Sequence, residues 1–279
     1  MDIGIIGAGR VGCSMGKYAV QHRIPVAGYY SKTYESAKEA AEFTRTECFE
    51  DLTDIILASD TLWIATPDDS IPEVWDCIAR YDIQDYIVCH FSGSLSSDVF
   101  SGIEKKKVHP CSIHPIYAFS DKNTSYQNLK EAYFTIEGDD FAVEHMTALL
   151  EKMGNRVVRI RAGKKALYHS AASLVSNHVL GVIDVGIQLM EECGFSQEDA
   201  YAALTPLILN NVSAGCEHGC REALTGPIER NDVKTVDRHL SALTGTARDI
   251  YESVGSELVI MAKEKYPDRD YTGMELRFQ

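Results

Sequence analysis

The feature that most constrains this chain is Gly7-Ala8-Gly9-Arg10-Val11-Gly12. It lies directly between an apolar strand, Asp2 to Gly7, and a run patterned as a helix from about Arg10 to Gln21. The spacing G-x-G-x-x-G alone is weak, but between a strand and a helix it has a mechanical reading. Gly7 permits the tight turn, Gly9 lets a pyrophosphate approach the backbone, and Gly12 lets the helix pack on the strand. The first helical turn, with Arg10 and Val11, then offers free N–H groups and a positive dipole end to a phosphate. Arg10 adds a cation that can also lie over an adenine. The bland alternative is a glycine turn without a ligand.

Beyond the loop, strand and helix patterns alternate. Strands are expected at Pro25 to Tyr30, Leu62 to Ala65, Tyr86 to Phe91, Val108 to Ile113, Ala132 to Ile136 and Arg156 to Ile160. Helices are expected at Tyr34 to Phe43 and about Asp140 to Met153. Alternation of this kind predicts an α/β fold, a doubly wound and mostly parallel sheet covered on both faces. The pattern changes near Gly163. Residues Lys165 to Cys193 contain no strong breaker and are apolar on most faces, so other helices or a partner subunit must cover them. Further helical segments follow at about Ser196 to Cys216, Asp232 to Leu243 and Thr246 to Lys265. The chain is therefore expected to divide into a Rossmann domain, 1–162, and an all-α domain, 163–279.

A formal net charge of −14 argues against a nucleic-acid partner, because a polyanion is repelled unless a local basic patch intervenes. Arg156, Arg159 and Arg161, and the run Lys105 to Lys107, read as solvated faces. No apolar run is read as reaching the roughly 20 residues that span a bilayer, and no membrane partner or export signal is expected. The eight scattered cysteines then read as reduced thiols of a cytoplasmic protein.

The end of the second strand bears on the choice of dinucleotide. NAD-binding versions place an Asp or Glu there to hold the ribose hydroxyls. Here the chain reads Tyr29-Tyr30-Ser31-Lys32-Thr33, with no carboxylate before Glu35. A hydroxyl and a cation, Ser31 and Lys32, suit a 2′-phosphate, which predicts NADP(H). Ser31 as a mere helix cap is the competing reading. Thr66 and Pro67 end the next central strand at the carboxyl edge, where ligands of open sheets bind, although a plain turn reads almost as well.

Several phrases carry a more specific resemblance: Ala65-Thr66-Pro67-Asp68-Asp69, His90-Phe91-Ser92-Gly93-Ser94, His114-Pro115, Tyr168-His169-Ser170-Ala171-Ala172 reaching Asn177, and Leu224-Thr225-Gly226-Pro227-Ile228-Glu229-Arg230. Together they resemble the Rossmann-like proteins that carry the domain of unknown function DUF2520, within the 6-phosphogluconate dehydrogenase-like superfamily. The resemblance covers nearly the whole chain. It implies an NADP-dependent oxidoreductase whose helical domain forms a homodimer.

Prephenate dehydrogenases in that superfamily have a Gly-Ser and a later His-Pro whose Ser and His contact substrate. Gly93-Ser94 and His114-Pro115 match by phrase, so Ser94 and His114 are candidate catalytic residues. A neutral His can exchange a proton with the reacting oxygen, or it can simply fix the loop before Pro115. The β-hydroxyacid dehydrogenases carry a Lys four residues before an Asn on the first long helix of the second domain. Asn177 fits the Asn, but the Lys position holds Ser173. His169, Ser173 and Asn177 fall at i, i+4 and i+8, a polar stripe on an apolar helix. The stripe suits a site in the cleft between the domains, or else polar contacts within a bundle. Lys165 is the nearest alternative cation.

Arg230 is a candidate for a substrate carboxylate or phosphate, with an ion pair to Glu229 or Asp232 as the alternative. Neither Cys216-Glu217-His218-Gly219-Cys220 nor His109 to His114 has paired zinc spacing, so no metal is expected. The sequence thus points to hydride transfer between NADP(H) and a small anionic carbonyl or hydroxy compound. Its rivals are an imine reductase of the pyrroline-carboxylate type and a non-catalytic NADP(H) sensor.

Overall fold

In the computed structural model, the apolar segment Ile3–Ile6 (β1) is fully buried and pairs in parallel with Val26–Tyr30 (β2) on one side and Thr61–Ile64 (β4) on the other. A strand buried on both faces reads as a continuous apolar run, which is what Ile3-Gly4-Ile5-Ile6 is. The structure describes residues 1–161 and 163–279. Residue 162, the expected end of the first domain, and the side chain of Lys105, in the basic run, lie outside the described residues.

The remaining strands are Glu47–Cys48 (β3), Tyr86–His90 (β5), Val108–Ile116 (β6), Tyr133–Gly138 (β7) and Arg156–Arg159 (β8). They form one sheet in the order β3-β2-β1-β4-β5-β6-β7-β8. The first six strands are parallel and follow the order 3-2-1-4-5-6 of a doubly wound dinucleotide fold. β7 turns back antiparallel to β6, and β8 runs parallel to β7.

Helices Arg10–Gln21 (α1), Tyr34–Thr44 (α2) and Asp140–Lys152 (α5) pack on one face, over Ile5, Trp63, Cys89, Cys111, Ile113 and Ile136. Helices Leu52–Leu57 (α3) and Ile71–Ile78 (α4) pack on the other, over Ile6, Leu62, Ile64 and Val88. The short β3 and α3 are additions to the sequence expectation. Two residues of strand and six of helix are too brief for periodicity to reveal.

The chain forms two units, Met1–Ser173 and Leu174–Gln279. Helix Lys165–Ser173 (α6) belongs to the first. The second is all helical: Val179–Glu192 (α7), Gln197–His218 (α8), Cys220–Ala223 (α9), Val233–Ala242 (α10), Gly245–Lys265 (α11) and Thr272–Glu275 (α12), with a π-helical turn at Leu174–His178. Its core is small: Ile228, Val236, Leu240, Val259, Ala262, Tyr271 and Met274, supplied mainly by α10, α11 and α12. α7 buries only Ile187, and α8 buries only Ala200. Leu180, Leu207, Leu209 and Val212 are each more than half exposed. The sequence demands cover for these helices, and the other helices of the unit do not provide it.

The stretch Lys165–Glu192 is long and apolar enough, on average, to cross a membrane. It does so without an unbroken apolar run: His169, Asn177 and Asp184 interrupt it, and such groups are costly in hydrocarbon.

Candidate active site

The glycine loop has the shape its spacing requires. Gly7 takes φ +109°, a left-handed conformation that favours glycine. A Cβ on Gly12 would collide with the carbonyl oxygen of Gly7, whereas one on Gly9 would meet nothing within 4 Å among the described residues. Gly12 is thus needed for packing and Gly9 leaves open space. The latter is the cradle a pyrophosphate needs beside the N-terminus of α1, whose first turn holds no acidic residue and whose N-cap makes no side-chain bond. Arg10 is exposed and Val11 half-buried at that turn.

After β2, Ser31 is half-buried and Lys32 exposed. The N-cap of α2 is Thr33, without a side-chain capping bond. The helix therefore does not use Ser31 as its cap, which removes the competing reading of that residue. At the end of β4, the Thr66 hydroxyl is buried with no hydrogen-bond partner among the described residues, and Pro67 begins the following turn. A buried hydroxyl is normally paired, and this one sits where ligands of such sheets bind.

A second set of polar groups lies at the same carboxyl edge. Paired residues on neighbouring strands share a face, as do residues two apart. His90, Ser112 and Glu137 are directly paired across β5, β6 and β7, and His114 pairs with Thr135. One face of these strands therefore carries five polar side chains where a core would be apolar. His90, Ser112, Thr135 and Glu137 are buried, and His114 is half-buried.

His90, Ser112 and Glu137 have bonds that hold the loop after β5. Ser92 N–H donates to His90 Nδ1 at 3.2 Å, and His90 Nε2 faces the Ser96 carbonyl at 3.2 Å. Glu137 accepts from Ser97 N–H at 2.7 Å and from its hydroxyl at 3.0 Å. Asp68 Oδ2 accepts from the hydroxyls of Ser92 at 2.7 Å and Ser94 at 2.9 Å.

Helix α6 faces this polar sheet surface with Lys165, Tyr168 and His169, spaced i, i+3 and i+4 on one helical face. Leu167, on another face, is exposed. Tyr168 Oη lies 2.7 Å from His114 Nδ1. A Cβ on Gly93 would press on both His169 Nδ1 and His114 Nε2, so glycine there leaves room for two imidazole edges to meet. His169 Nδ1 is buried without a hydrogen-bond partner among the described residues, and so is Lys165 Nζ.

The electrostatics follow from burial. Burial pushes the His114 pKa down to about 4, helped by Lys165 and His169 and opposed by Asp68. Burial also lowers His90 to about 4. It lowers Lys165 to about 8, with Glu137 foremost among the groups that oppose the shift. At neutral pH His90 and His114 are therefore neutral, beside a buried ammonium.

The structure brings Ser94, His114 and His169 together with Lys165, the alternative cation of the sequence, and it adds Tyr168, Asp68 and Ser92. Ser173 closes α6 in the same unit. Asn177 lies on the exposed π turn of the second unit, where its Oδ1 accepts from the Ser176 hydroxyl at 3.1 Å. Arg230 is exposed in the second unit, and Asp232 is a charge it acts on. A cavity of about 630 Å³ in the first unit opens beside Ser97, Pro110, Glu137 and Arg159, and neither His114 nor Lys165 lines it. Of the residues that sequence reasoning missed, Ser112, Thr135 and Glu137 had one signal: polar residues two apart in a strand, Ser112 with His114 and Thr135 with Glu137.

The fold and loop define the class of the first unit, and residues 1–115 match the Rossmann-like domain model. Residues 132–258 match the domain of unknown function DUF2520, so the chain carries a Rossmann-like domain followed by a DUF2520 domain. No curated protein matches the sequence.

Among solved structures, the chain is similar to protein TM1727 from Thermotoga maritima, with TM-score 0.76 and 21% identity over 94% of this chain and 99% of that one. It is also similar to BF3122 of Bacteroides fragilis, a candidate NADP oxidoreductase, with TM-score 0.71 and 22% identity over 93% and 98%. Plasmodium falciparum pyrroline carboxylate reductase with NADP bound gives TM-score 0.59 and 11% identity over 100% and 98%. These likenesses concern the fold.

Proposed function

We propose that this chain is an NADP(H)-dependent oxidoreductase acting on a small anionic carbonyl or hydroxy compound. The observation that carries the reading is the convergence, at one carboxyl edge of the sheet, of an open glycine cradle, the unpartnered Thr66 hydroxyl and the His114–Lys165 cluster. Gly7, Gly9, Arg10, Val11 and Gly12 would hold the pyrophosphate, Ser31 and Lys32 the 2′-phosphate, and Thr66 and Pro67 the nicotinamide side. When bound, the nicotinamide supplies or accepts hydride. The protein's own groups position the substrate. Lys165 supplies the buried cation for its anionic group, a role the sequence leaves vacant at Ser173. Asp68 fixes the Ser92 and Ser94 hydroxyls, and His114 addresses the reacting oxygen. The fold likeness to an NADP-bound reductase supports the cofactor assignment.

The test is a thermal-shift comparison followed by a turnover screen. NADPH is expected to stabilise the protein more than NADH does, and Lys32→Ala to remove that difference. 2-Oxo acids and cyclic imines then form the substrate panel. Stabilisation by NADH alone overturns the NADP assignment. Stabilisation by NADPH without oxidation of it by any panel compound favours a sensor.

We also propose that a second copy of this chain covers α7 and α8. Both are largely apolar, and each buries a single residue. Light scattering is expected to give twice the 30.9 kDa chain mass, and Leu207→Asp with Leu209→Asp to give the monomer. A wild-type mass of one chain overturns the dimer. Eight free thiols suit the reducing cytoplasm.

A further inference from the structure

We propose that Tyr168 holds His114 as the neutral Nε2–H tautomer, so that His114 is a hydrogen-bond donor to the reacting oxygen rather than a base. Tyr168 is then a positioning residue, and the site selects carbonyl compounds over protonated imines. The substrate part rests on the function proposed above; the tautomer part does not.

The geometry gives His114 two distinct edges. Nδ1 is engaged by Tyr168 Oη at 2.7 Å. Nε2 faces the small space at Gly93, where a side chain on that residue would strike it. A neutral imidazole has one donor and one acceptor nitrogen, and the bond made by one assigns the other.

At the Tyr168–His114 contact, two directions are possible in principle. A phenol is far more acidic than a neutral imidazole N–H, and an imidazole nitrogen is far more basic than a phenolic oxygen. The stronger bond therefore runs from Tyr168 O–H to Nδ1. The phenol keeps its proton, because burial raises the Tyr168 pKa. Thr135, beside both residues, donates to the His114 carbonyl at 3.3 Å.

The second proton has no reason to join the ring. The charged groups acting on His114 are Lys165 and His169 on α6 and Asp68 after β4, and the two from α6 disfavour an imidazolium. His114 is then neutral, its Nδ1 is occupied, and its Nε2–H points into the site. A neutral imidazole used this way acts as an electrophile, stabilising the charge that develops on a carbonyl oxygen. It cannot at the same time accept a proton at Nε2.

A chemical preference follows. A carbonyl oxygen accepts a hydrogen bond from Nε2–H. A protonated imine presents its own N–H, so two donors would face each other, and a donor left unpaired in a buried site is costly. The tautomer thus separates the two substrate classes that the fold alone leaves together.

The test is nitrogen NMR of histidine-labelled protein, with the His114 signals assigned by their loss in His114→Gln. Wild type at pH 7 is expected to show a pyridine-type Nδ1 and a pyrrole-type Nε2 for His114. In Tyr168→Phe the apparent pKa of His114 is expected to rise by about 1, because a donor to the neutral ring is lost. If Tyr168 were instead the acceptor, its loss would weaken the protonated ring more, and the pKa would fall. A proton on Nδ1 in wild type, or a fall or no change in Tyr168→Phe, overturns the inference.

If Tyr168→Phe does not fold, the wild-type tautomer decides alone. Both readouts use protein without cofactor or substrate, so failure to bind NADPH would defeat the proposed function and leave this assignment standing. With the tautomer established, turnover of cyclic imines in preference to 2-oxo acids overturns the substrate selection alone.

Discussion

Gly9→Val is expected to lower NADPH affinity by about 100-fold, equivalent to about 2.8 kcal/mol, while the protein stays folded. The two halves of this prediction come from one observation. Gly9 has φ −79° and ψ −169°, a backbone conformation open to any residue, and a Cβ there touches nothing within 4 Å among the described residues. The fold therefore loses at most a glycine N-cap, no more than about 1 kcal/mol. The bound pyrophosphate, however, must approach this backbone closely. Gly12→Val is the control. Its side chain would strike the Gly7 carbonyl, so the strand–loop–helix packing itself fails. Calorimetric titration with NADPH beside thermal melting separates the two. Wild-type affinity in Gly9→Val would falsify the phosphate-cradle reading.

Lys165→Met is expected to make the protein more stable and less able to bind an anionic substrate. The ammonium of Lys165 is buried without a hydrogen-bond partner among the described residues, its nearest aromatic contact being the Tyr168 ring at 5.8 Å, and its pKa is lowered to about 8. A cation whose pKa is lower in the folded than in the unfolded state costs stability whenever it is charged. The cost is fully present below about pH 8 and disappears as pH rises through the unfolded value of 10.5. At pH 7 it amounts to about 3 kcal/mol.

The variant should therefore exceed wild type by about that amount at pH 7, and the gap should close between pH 8 and pH 10.5. Urea unfolding at several pH values checks this. In turnover, the same substitution should raise KM for a carboxylate substrate more than it lowers kcat. A variant less stable than wild type at pH 7 would mean that Lys165 is paired in solution, and its assignment to an anionic substrate would fall.

Much of the fold was legible because it rests on long, regular patterns. The apolar run before Gly7 and the alternation that follows correspond to the parallel sheet. The change of pattern near Gly163, by contrast, comes before α6, which belongs to the first unit, and the all-helical second unit begins only at Leu174 rather than at the expected 163. The antiparallel turn of β7 was not legible, because strand direction is set by pairing and leaves no trace in the pattern of a single strand. Nor was the exposure of α7 and α8: their composition demanded cover without saying what supplies it.

The site was legible only in part. Ser94 and His114 came from a phrase, and His169 from helical spacing. The stripe that α6 turns toward the sheet, however, is Lys165, Tyr168 and His169. At Asn177 a π turn replaces α-helical geometry, which spacing rules built on 3.6 residues per turn do not foresee. Asp68 stood out in the sequence only within the phrase Ala65 to Asp69, because its partners, Ser92 and Ser94, lie on a different strand's loop.

Strand β6 has two different lives on its two sides. Cys111 and Ile113 face the apolar layer beneath α1, α2 and α5, and Ser112 and His114 face the polar surface toward α6. Neighbouring letters of one strand thus answer to separate demands, one for holding the sheet together and one for chemistry. The odd positions have little freedom to vary. The even ones, with Thr135 and Glu137 beside them, can be rewritten for a new ligand while the scaffold stands, which is how one fold comes to serve many reactions.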